Sequence, residues 1–245
     1  MKAILCETLG PPENLVLKEV KNPVAAENEA VVQVYAASLN FPDGLQIQGK
    51  YQFQPPLPFI PGSEIGGIIK SVGPGLKGFA VGDRVMAIPG LGGLAEQAIV
   101  KVEGLRKIPN NMDFKTAAGF AMVYTTSYYA LKQRAQLQPG ETLLVLGASG
   151  GVGVAAVELG KLMGARVIAA ASSNEKLEFI KRLNPDETIN YSDGELKEKV
   201  KSLTNGRGAD VIYDPVGGDL FDQCCRCINW NGRLLVIGFT SGRIP

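Results

Sequence analysis

The chain has 245 residues, of which 45% are apolar and 20% charged, and its formal net charge is +1. This composition is typical of a soluble globular enzyme, and the near-neutral charge provides no field that would attract nucleic acid or an acidic membrane. The sequence contains no histidine, which excludes Ser-His-Asp and Cys-His nucleophile pairs and every metal site that needs imidazole ligands.

Targeting signals are not evident in the sequence. Glu7 interrupts the N-terminal stretch too early for a signal peptide, and no segment has enough uninterrupted apolar residues to span a bilayer. The four cysteines show no disulfide framework, which fits a reducing compartment. We therefore expect a cytoplasmic protein that contacts neither membranes nor nucleic acid.

The first part of the chain, up to about residue 112, consists of short predicted strands separated by Gly and Pro. Runs of strand-like composition occupy residues 15–20, 30–37, 65–72, 84–88 and 95–100. Short strands at such intervals predict a small barrel or sandwich.

From residue 113 the pattern changes to alternating helices and strands. Residues 113–134 predict one long helix. The strands that follow are expected at 142–146, 166–170, 187–190, 210–213 and 233–237, with helices at about 151–163, 174–183, 194–203 and 218–229. Alternation of this kind, with continuously apolar strands, predicts a parallel doubly wound sheet. We therefore predict an α/β plus β fold with domains at 1–115 and 116–245, in which the last strand of a six-stranded dinucleotide fold is missing.

A glycine-rich turn joins the first of these strands to its helix. Its pattern is A-x-G-x-x-G, beginning at Ala148, and the predicted contacts are Ala148, Gly150, Gly151, Val152 and Gly153. Gly150 is expected to permit a tight turn, Gly151 to allow close approach of the backbone, and Gly153 to let the helix pack on the strand. The helix N-terminus then offers free N–H groups and a positive dipole end to a pyrophosphate. The alternative is a turn used only for packing.

The end of the second strand indicates which dinucleotide binds. An NAD-selective fold places Asp or Glu there to bind the ribose hydroxyls, whereas this chain has Ala171 and Ser172. Lys176 in the next helix supplies a positive charge for an additional phosphate, and Tyr191 is placed to hydrogen-bond it. A solvated lysine and a packing tyrosine are the alternatives. The combination predicts NADPH.

Several motifs occur together in a consistent order along the whole chain. They include Asn40-Phe41-Pro42-Asp43, Gln48-Gly49-Lys50-Tyr51, Pro61-Gly62-Ser63-Glu64-Ile65-Gly66-Gly67, Val81-Gly82-Asp83-Arg84-Val85, Asp214-Pro215-Val216-Gly217-Gly218 and Gly238-Phe239-Thr240-Ser241-Gly242. In this order they resemble the medium-chain dehydrogenase/reductase superfamily, specifically its zinc-free, zeta-crystallin-like quinone oxidoreductase branch. The resemblance implies a GroES-like N-terminal barrel, a Rossmann domain, a cleft between them and a homodimer. It also implies cofactor contacts at Thr126, Gly238 and Phe239.

The resemblance also bears on metal binding. Zinc-dependent relatives hold catalytic zinc with two Cys and one His, and the corresponding positions are Asn40, Ser63 and approximately Met122. An amide, a hydroxyl and a thioether do not replace thiolate and imidazole ligands. The run Cys224-Cys225-Arg226-Cys227 lies in a predicted helix, where adjacent thiols diverge and cannot all face one ion. We expect no metal.

The candidate catalytic residues are Tyr51 and Asn40. A phenol donates a hydrogen bond, or its proton, to a developing enolate; the alternative is that Tyr51 only forms a pocket wall. Asn40 either holds the substrate or braces its loop. The predicted activity is NADPH-dependent reduction of a quinone or another conjugated carbonyl such as an enone. Reduction of a 2-enoyl or acrylyl thioester, and non-catalytic NADPH binding as in crystallin-like relatives, are the alternatives.

Overall fold

The computed structural model describes residues 1–244. The chain divides into two compact units, Met1–Met122 and Val123 onward. The domain boundary expected from the sequence, between residues 115 and 116, falls inside a helix of the first unit. Among the described residues, none of the helices combines the length and the apolar content that crossing a membrane requires.

The first unit is built on a five-stranded antiparallel sheet. Its strands are β3 (Glu29–Ala37), β4 (Ile65–Val72), β5 (Arg84–Ala87), β6 (Gln97–Lys101) and β7 (Leu105–Lys107), in the order β6-β3-β4-β5-β7. A separate antiparallel pair consists of β1 (Lys2–Leu5) and β2 (Val16–Glu19). Side chains of alternating strand positions, including Val32, Ile65, Ile69 and Val85, form one buried cluster, as a strand period of two requires.

Three helices belong wholly or partly to this unit. They are α1 (Phe41–Ile47), α2 (Phe114–Ala118) and α3 (Ala121–Tyr128), the last of which runs into the second unit and is followed by a π-helical segment, Tyr129–Arg134. The prediction of one long helix over 113–134 is therefore wrong. Asp113 caps α2 by accepting a hydrogen bond from Thr116 N (2.7 Å), and Gly119 ends it with φ −104° and ψ 12°.

The second unit has a five-stranded parallel sheet. Its strands are β8 (Thr142–Val145), β9 (Arg166–Ala171), β10 (Glu187–Asn190), β11 (Ala209–Asp214) and β12 (Ile228–Val236). Its helices are α4 (Gly151–Leu162), α5 (Asn174–Lys181), α6 (Leu196–Leu203) and α7 (Asp219–Cys227). All four residues of β8 are buried, as expected for a strand covered on both faces.

The strand order of this sheet is β10-β9-β8-β11-β12. The chain therefore first moves outward from β8 to β10 and then returns to the other side of β8 with β11. This reversal is the switch point of a doubly wound dinucleotide fold, where ligands bind outside the carboxyl ends of the strands. The predicted doubly wound sheet is confirmed. Only β12 differs clearly from expectation: it begins at Ile228 and contains Asn231 with φ 57°.

Candidate functional site

The turn between β8 and α4 lies at the switch point of the parallel sheet. Its left-handed residue is Gly147, with φ 53°. Gly150 has φ −80° and ψ 165°, an extended conformation that any residue adopts, and its N–H donates to Gly147 O at 2.9 Å. The conformational role assigned to Gly150 from the sequence is therefore wrong, because the turn needs its left-handed glycine at position 147.

Two other glycines of the turn lie in close packing, and at position 153 the neighbouring atoms belong to the backbone. A Cβ atom at position 153 would lie 2.3 Å from Gly147 O and 2.7 Å from Ala148 Cα, both of which are backbone atoms. A Cβ atom at position 151 would lie 3.0 Å from Val123 Cγ1 of helix α3. Helix α4 thus begins directly against the turn and against α3, in the close packing that the motif predicts at Gly153.

The first turn of α4 has donors available for an anion. Gly150 is the N-cap, and Val154 donates the first intrahelical hydrogen bond, to Gly150 O at 2.8 Å. The N–H groups of Gly151, Val152 and Gly153 therefore precede the hydrogen-bond ladder of the helix. Together with the positive end of the helix dipole, they form a site of the kind that binds pyrophosphate.

Helix α3 supports this turn through two hydrogen-bonded contacts that the sequence did not reveal. Ser127 Oγ donates to Val152 O at 3.1 Å and also pairs with Tyr213 OH at 2.8 Å. Tyr124 OH donates to the Glu158 carboxylate. The pKa values of the Tyr124 and Tyr213 phenols are both raised to about 12, mainly by burial. Thr126, a predicted cofactor contact, lies half-buried on the same helix.

A second group of polar side chains lies at the carboxyl ends of β9 and β10. Lys176 Nζ donates to Ser172 Oγ at 2.9 Å. Tyr191 follows β10, and its N–H donates to Ala171 O at 3.1 Å. Burial raises the pKa of the Tyr191 phenol, a hydrogen bond with Ser172 opposes that rise, and the charge of Asp214 adds to it. The structure therefore brings together Ser172, Lys176 and Tyr191 without a carboxylate at the end of β9.

The loops after β11 and β12 complete this edge of the sheet. Asp214 Oδ1 accepts hydrogen bonds from Val216 N (2.8 Å) and Gly217 N (2.9 Å), while burial raises the pKa of its carboxyl. Predicted contact Phe239 lies beside this loop, since a Cβ on Gly217 would be 3.5 Å from its ring. A Cβ on the other predicted contact, Gly238, would be 3.3 Å from Pro215 O. Both residues follow β12 at the same edge as the glycine turn.

The candidate catalytic residues lie in the first unit, at opposite ends of α1. Asn40 is the N-cap of α1, where its N–H donates to Asp43 Oδ2 at 2.8 Å and its carbonyl accepts from Asp43 N at 3.0 Å. Asp43 is therefore a capping residue of α1. Tyr51 follows the C-terminal end of the helix and is half-buried.

Glu64 is a polar residue of this region that the sequence reasoning did not single out. It is fully buried, and its carboxylate accepts three hydrogen bonds, from Ser38 Oγ (2.9 Å), Asn40 Nδ2 (3.3 Å) and Met122 N (2.9 Å). The sequence signal that could have pointed to Glu64 was its position directly after Ser63, within Pro61-Gly62-Ser63-Glu64. Sequence alone does not show that the residue is buried.

The three positions that correspond to zinc ligands do not form a zinc site. The Asn40 amide nitrogen donates to Ser38 and Glu64, and Met122 donates to Glu64 through its backbone N–H. Ser63 Oγ is buried and has no hydrogen-bond partner within residues 1–244. No group of three His, Cys, Asp or Glu residues suited to a metal ion occurs in residues 1–244. On α7, Cys224 and Cys227 are buried and Cys225 is exposed, so the three thiols do not converge.

Comparison with known proteins identifies the family. The model of the alcohol dehydrogenase GroES-like domain matches residues 26–110, and the zinc-binding dehydrogenase model matches residues 151–245. The chain is 43% identical over 250 residues to the quinone oxidoreductase-like protein 2 homolog of Nematostella vectensis, covering 100% of this chain and 67% of that protein. The chain belongs to the quinone oxidoreductase branch of the medium-chain dehydrogenase/reductase superfamily. Its first unit is therefore the predicted GroES-like domain and its second the Rossmann domain.

Solved structures of this superfamily superpose on the whole chain. The quinone oxidoreductase of Escherichia coli complexed with NADPH has a TM-score of 0.95 at 30% identity and covers 100% of this chain and 75% of its own. The CurK enoyl reductase has a TM-score of 0.91 at 29% identity and covers 97% of this chain and 74% of its own. A quinone oxidoreductase and an enoyl reductase thus both occur among proteins with this fold.

Proposed function

We propose that the chain is a zinc-independent NADPH-dependent oxidoreductase that reduces quinones or other conjugated carbonyls. The observation that carries this proposal is the cluster of Ser172, Lys176 and Tyr191 at the end of β9, where the Lys176 ammonium lies 2.9 Å from Ser172 Oγ. A carboxylate at that strand end would repel the additional phosphate of NADPH, and Ala171 stands there instead.

The residues present fit this cofactor. The pyrophosphate would bind at the N-terminus of α4, where a side chain at position 153 would collide with the turn. The additional phosphate would be held by the Lys176 ammonium and by the hydroxyls of Ser172 and Tyr191. A phenol is protonated at neutral pH, and burial raises the pKa of Tyr191 further, so its hydroxyl is available as a hydrogen-bond donor.

The chemistry on the substrate side would fall to a small number of residues. Bound NADPH supplies the hydride, and the protein must orient the acceptor and stabilise the negative charge that develops on its oxygen. Tyr51 is the candidate donor for that oxygen. Zinc is not assigned a role, because the full sequence contains no histidine and the positions of the ligands hold Asn40, Ser63 and Met122.

A second candidate activity is reduction of a 2-enoyl thioester, supported by the likeness to the CurK enoyl reductase. An enoyl thioester gives an enolate that must be protonated, whereas a quinone gives a hydroquinone with little help from acid–base groups. Tyr51 should therefore matter more for the thioester.

One assay matrix tests the proposal. Turnover is measured with NADPH and NADH against quinones, enones and enoyl thioesters, for the wild type and for Tyr51→Phe. We expect NADPH-dependent turnover of quinones that Tyr51→Phe lowers only slightly. A loss of tenfold or more confined to the thioester would favour the second candidate. Tight NADPH binding without turnover of any acceptor would overturn both and favour a non-catalytic binding protein.

A further inference from the structure

Two of the four cysteines lie on one side of helix α7. Cys224 and Cys227 are both fully buried, whereas Cys225 is exposed. Residues three apart along a helix are neighbours on the same side, and adjacent residues diverge by about 100°. The run Cys224-Cys225-Arg226-Cys227 therefore brings two thiols together in the interior and directs the third to solvent.

The two buried thiols contact one another. The S–H of Cys224 donates a hydrogen bond to the sulfur of Cys227, and both side chains belong to one buried cluster of the second unit. In a regular helix the Cα atoms of residues three apart are separated by about 5 Å, inside the range of roughly 4.4–6.8 Å that a disulfide spans. Their Cβ atoms, at about 5–6 Å, would have to approach to about 4 Å.

The end of α7 allows this approach. Cys227 is the last residue of the helix, and Ile228 after it already has the extended conformation of β12, with φ −72° and ψ 145°. The last turn of a helix commonly tightens to the 3₁₀ form. A closer approach of the two sulfurs therefore disturbs one helical turn, which no further turn follows.

The surroundings of the pair distinguish its two members. The hydrogen bond from Cys224 and the charge of Lys201 on α6 lower the pKa of Cys227, against burial, Glu198 and the negative end of the helix dipole. The same hydrogen bond and burial raise the pKa of Cys224, and the charge of Asp214 adds to that rise. Cys227 is thus the thiol that loses its proton first, and the thiolate is the reactive form of cysteine.

We propose that Cys224 and Cys227 form an oxidation site, a dithiol that a hydroperoxide converts into a disulfide within α7. The Cys227 thiolate attacks one peroxide oxygen, the O–O bond breaks, and the hydroxide or alkoxide that leaves takes up a proton, so that Cys227 becomes a sulfenic acid. The Cys224 sulfur then attacks the Cys227 sulfur, the S–O bond breaks, and the hydroxide leaves as water with the Cys224 proton. The two thiols lose two hydrogens and two electrons, and hydrogen peroxide becomes two water molecules.

Burial determines how the oxidant reaches the pair. Neither sulfur is exposed, so the peroxide enters when the last turn of α7 opens locally. Cys6 is the matched control, because it is equally buried but donates to a backbone carbonyl, Thr8 O at 3.5 Å, and burial raises its pKa. Cys6 is therefore expected to stay reduced under conditions that oxidise the pair.

Peptide mapping of the whole chain tests the proposal. The folded protein is treated with hydrogen peroxide, its free thiols are alkylated in denaturant, and it is cleaved with trypsin. Trypsin cuts after Arg226, so a bond between Cys224 and Cys227 joins the peptides 208–226 and 227–233. This linked pair has a mass of its own and disappears after treatment with dithiothreitol.

The variant Cys225→Ser identifies the bonded residues, because it removes the third thiol from these two peptides. We expect the linked pair in the wild type and in Cys225→Ser, forming at least about tenfold faster than Cys6 loses its free thiol. Cys224→Ala and Cys227→Ala should each abolish it.

Three results would overturn the proposal. They are the absence of linked peptides in Cys225→Ser, a link that forms only after urea has unfolded the chain, and a sulfinic acid on Cys227 while Cys224 stays free. If the alanine variants do not fold, the wild type and Cys225→Ser, which changes an exposed side chain, still decide it. The experiment measures neither cofactor binding nor turnover, so its failure leaves the proposed function untouched.

Discussion

The Lys176 ammonium lies in the first turn of α5 and contacts Ser172 Oγ at 2.9 Å. If it binds the additional phosphate of NADPH, Lys176→Ala should raise the Kd of NADPH about tenfold while leaving that of NADH nearly unchanged. The effect is expected at about 1–2 kcal/mol because Lys176 is exposed and its charge is screened by solvent. Titration of both cofactors by fluorescence, at two salt concentrations, measures the difference.

Lys181→Ala is the matched control, since Lys181 is an exposed lysine of the same helix whose ammonium pairs with Glu178. It removes the same charge but should change neither Kd by more than about twofold. Equal losses for NADPH and NADH in Lys176→Ala, or equal losses in the two variants, would refute the role given to Lys176.

Among the single residues of the candidate site, the sequence revealed those whose identity is unusual for their position. Ala171 and Ser172 stand where an acid is expected, and that position follows from counting along one strand and one helix. Glu64 could not be found in this way, because its significance depends on burial and on donors from Ser38, Asn40 and Met122, which come from separate parts of the chain.

The element that a single substitution should disturb most is the junction of the glycine turn with α4. In Gly153→Ala the added methyl would lie 2.3 Å from Gly147 O and 2.7 Å from Ala148 Cα. Neither backbone atom can move without shifting the whole turn, so we expect a loss of about 1–3 kcal/mol in the free energy of unfolding. NADPH affinity should fall about tenfold or more. Urea unfolding and NADPH titration measure the two effects.

Gly119→Ala is the comparison for this variant. Gly119 has a negative φ, and a Cβ there would meet its nearest atom, Lys115 O, at an ordinary contact distance of 3.7 Å. Its stability and its affinity for NADPH should stay close to those of the wild type. An unchanged Kd of NADPH in Gly153→Ala would show that the turn does not hold the pyrophosphate.

Elements with strong periodicity or composition were predicted well. Strands β4 and β10 have their predicted bounds, whereas the short strands β1 and β7, which have four and three residues, were not predicted. Segments so short carry too few residues to show alternation. The prediction of one long helix over 113–134 was wrong because it gave more weight to the helix-forming residues of this segment than to Gly119. In the structure, the Asp113 cap and the helix end at Gly119 define a separate α2.

For the molecule as a whole, the change from short strands to strand–helix alternation was sufficient to predict the two architectures. The sequence could not show the hydrogen bonds that join distant residues in the interior of the second unit. Ser127 and Tyr213 are 86 residues apart, and their hydroxyls pair at 2.8 Å in the interior. Such a pair couples the stability of the molecule to pH, since a buried phenol resists ionisation.

The alkaline stability of the protein should reflect this pair. The pKa of Tyr213 is raised from 10.0 to about 12, so below pH 10 the phenol is protonated whether the chain is folded or unfolded. Between pH 10 and 12 the unfolded chain loses this proton and the folded chain keeps it. The free energy of unfolding should therefore fall as pH rises, by up to about 1.4 kcal/mol per pH unit from this residue.

Tyr213→Phe isolates this contribution from the titration of the lysines. As lysines lose their protons, the net charge, +1 at pH 7, becomes negative, and self-repulsion destabilises the wild type and the variant alike. The variant should be less stable than the wild type at pH 8, by about 1 kcal/mol for the lost hydrogen bond to Ser127. The difference should shrink between pH 10 and 12 because phenylalanine has no proton to lose. Urea unfolding of both proteins at pH 8, 10 and 11.5 measures the difference in their free energies of unfolding. If that difference stays constant with pH, Tyr213 ionises in the folded protein as readily as in the unfolded chain.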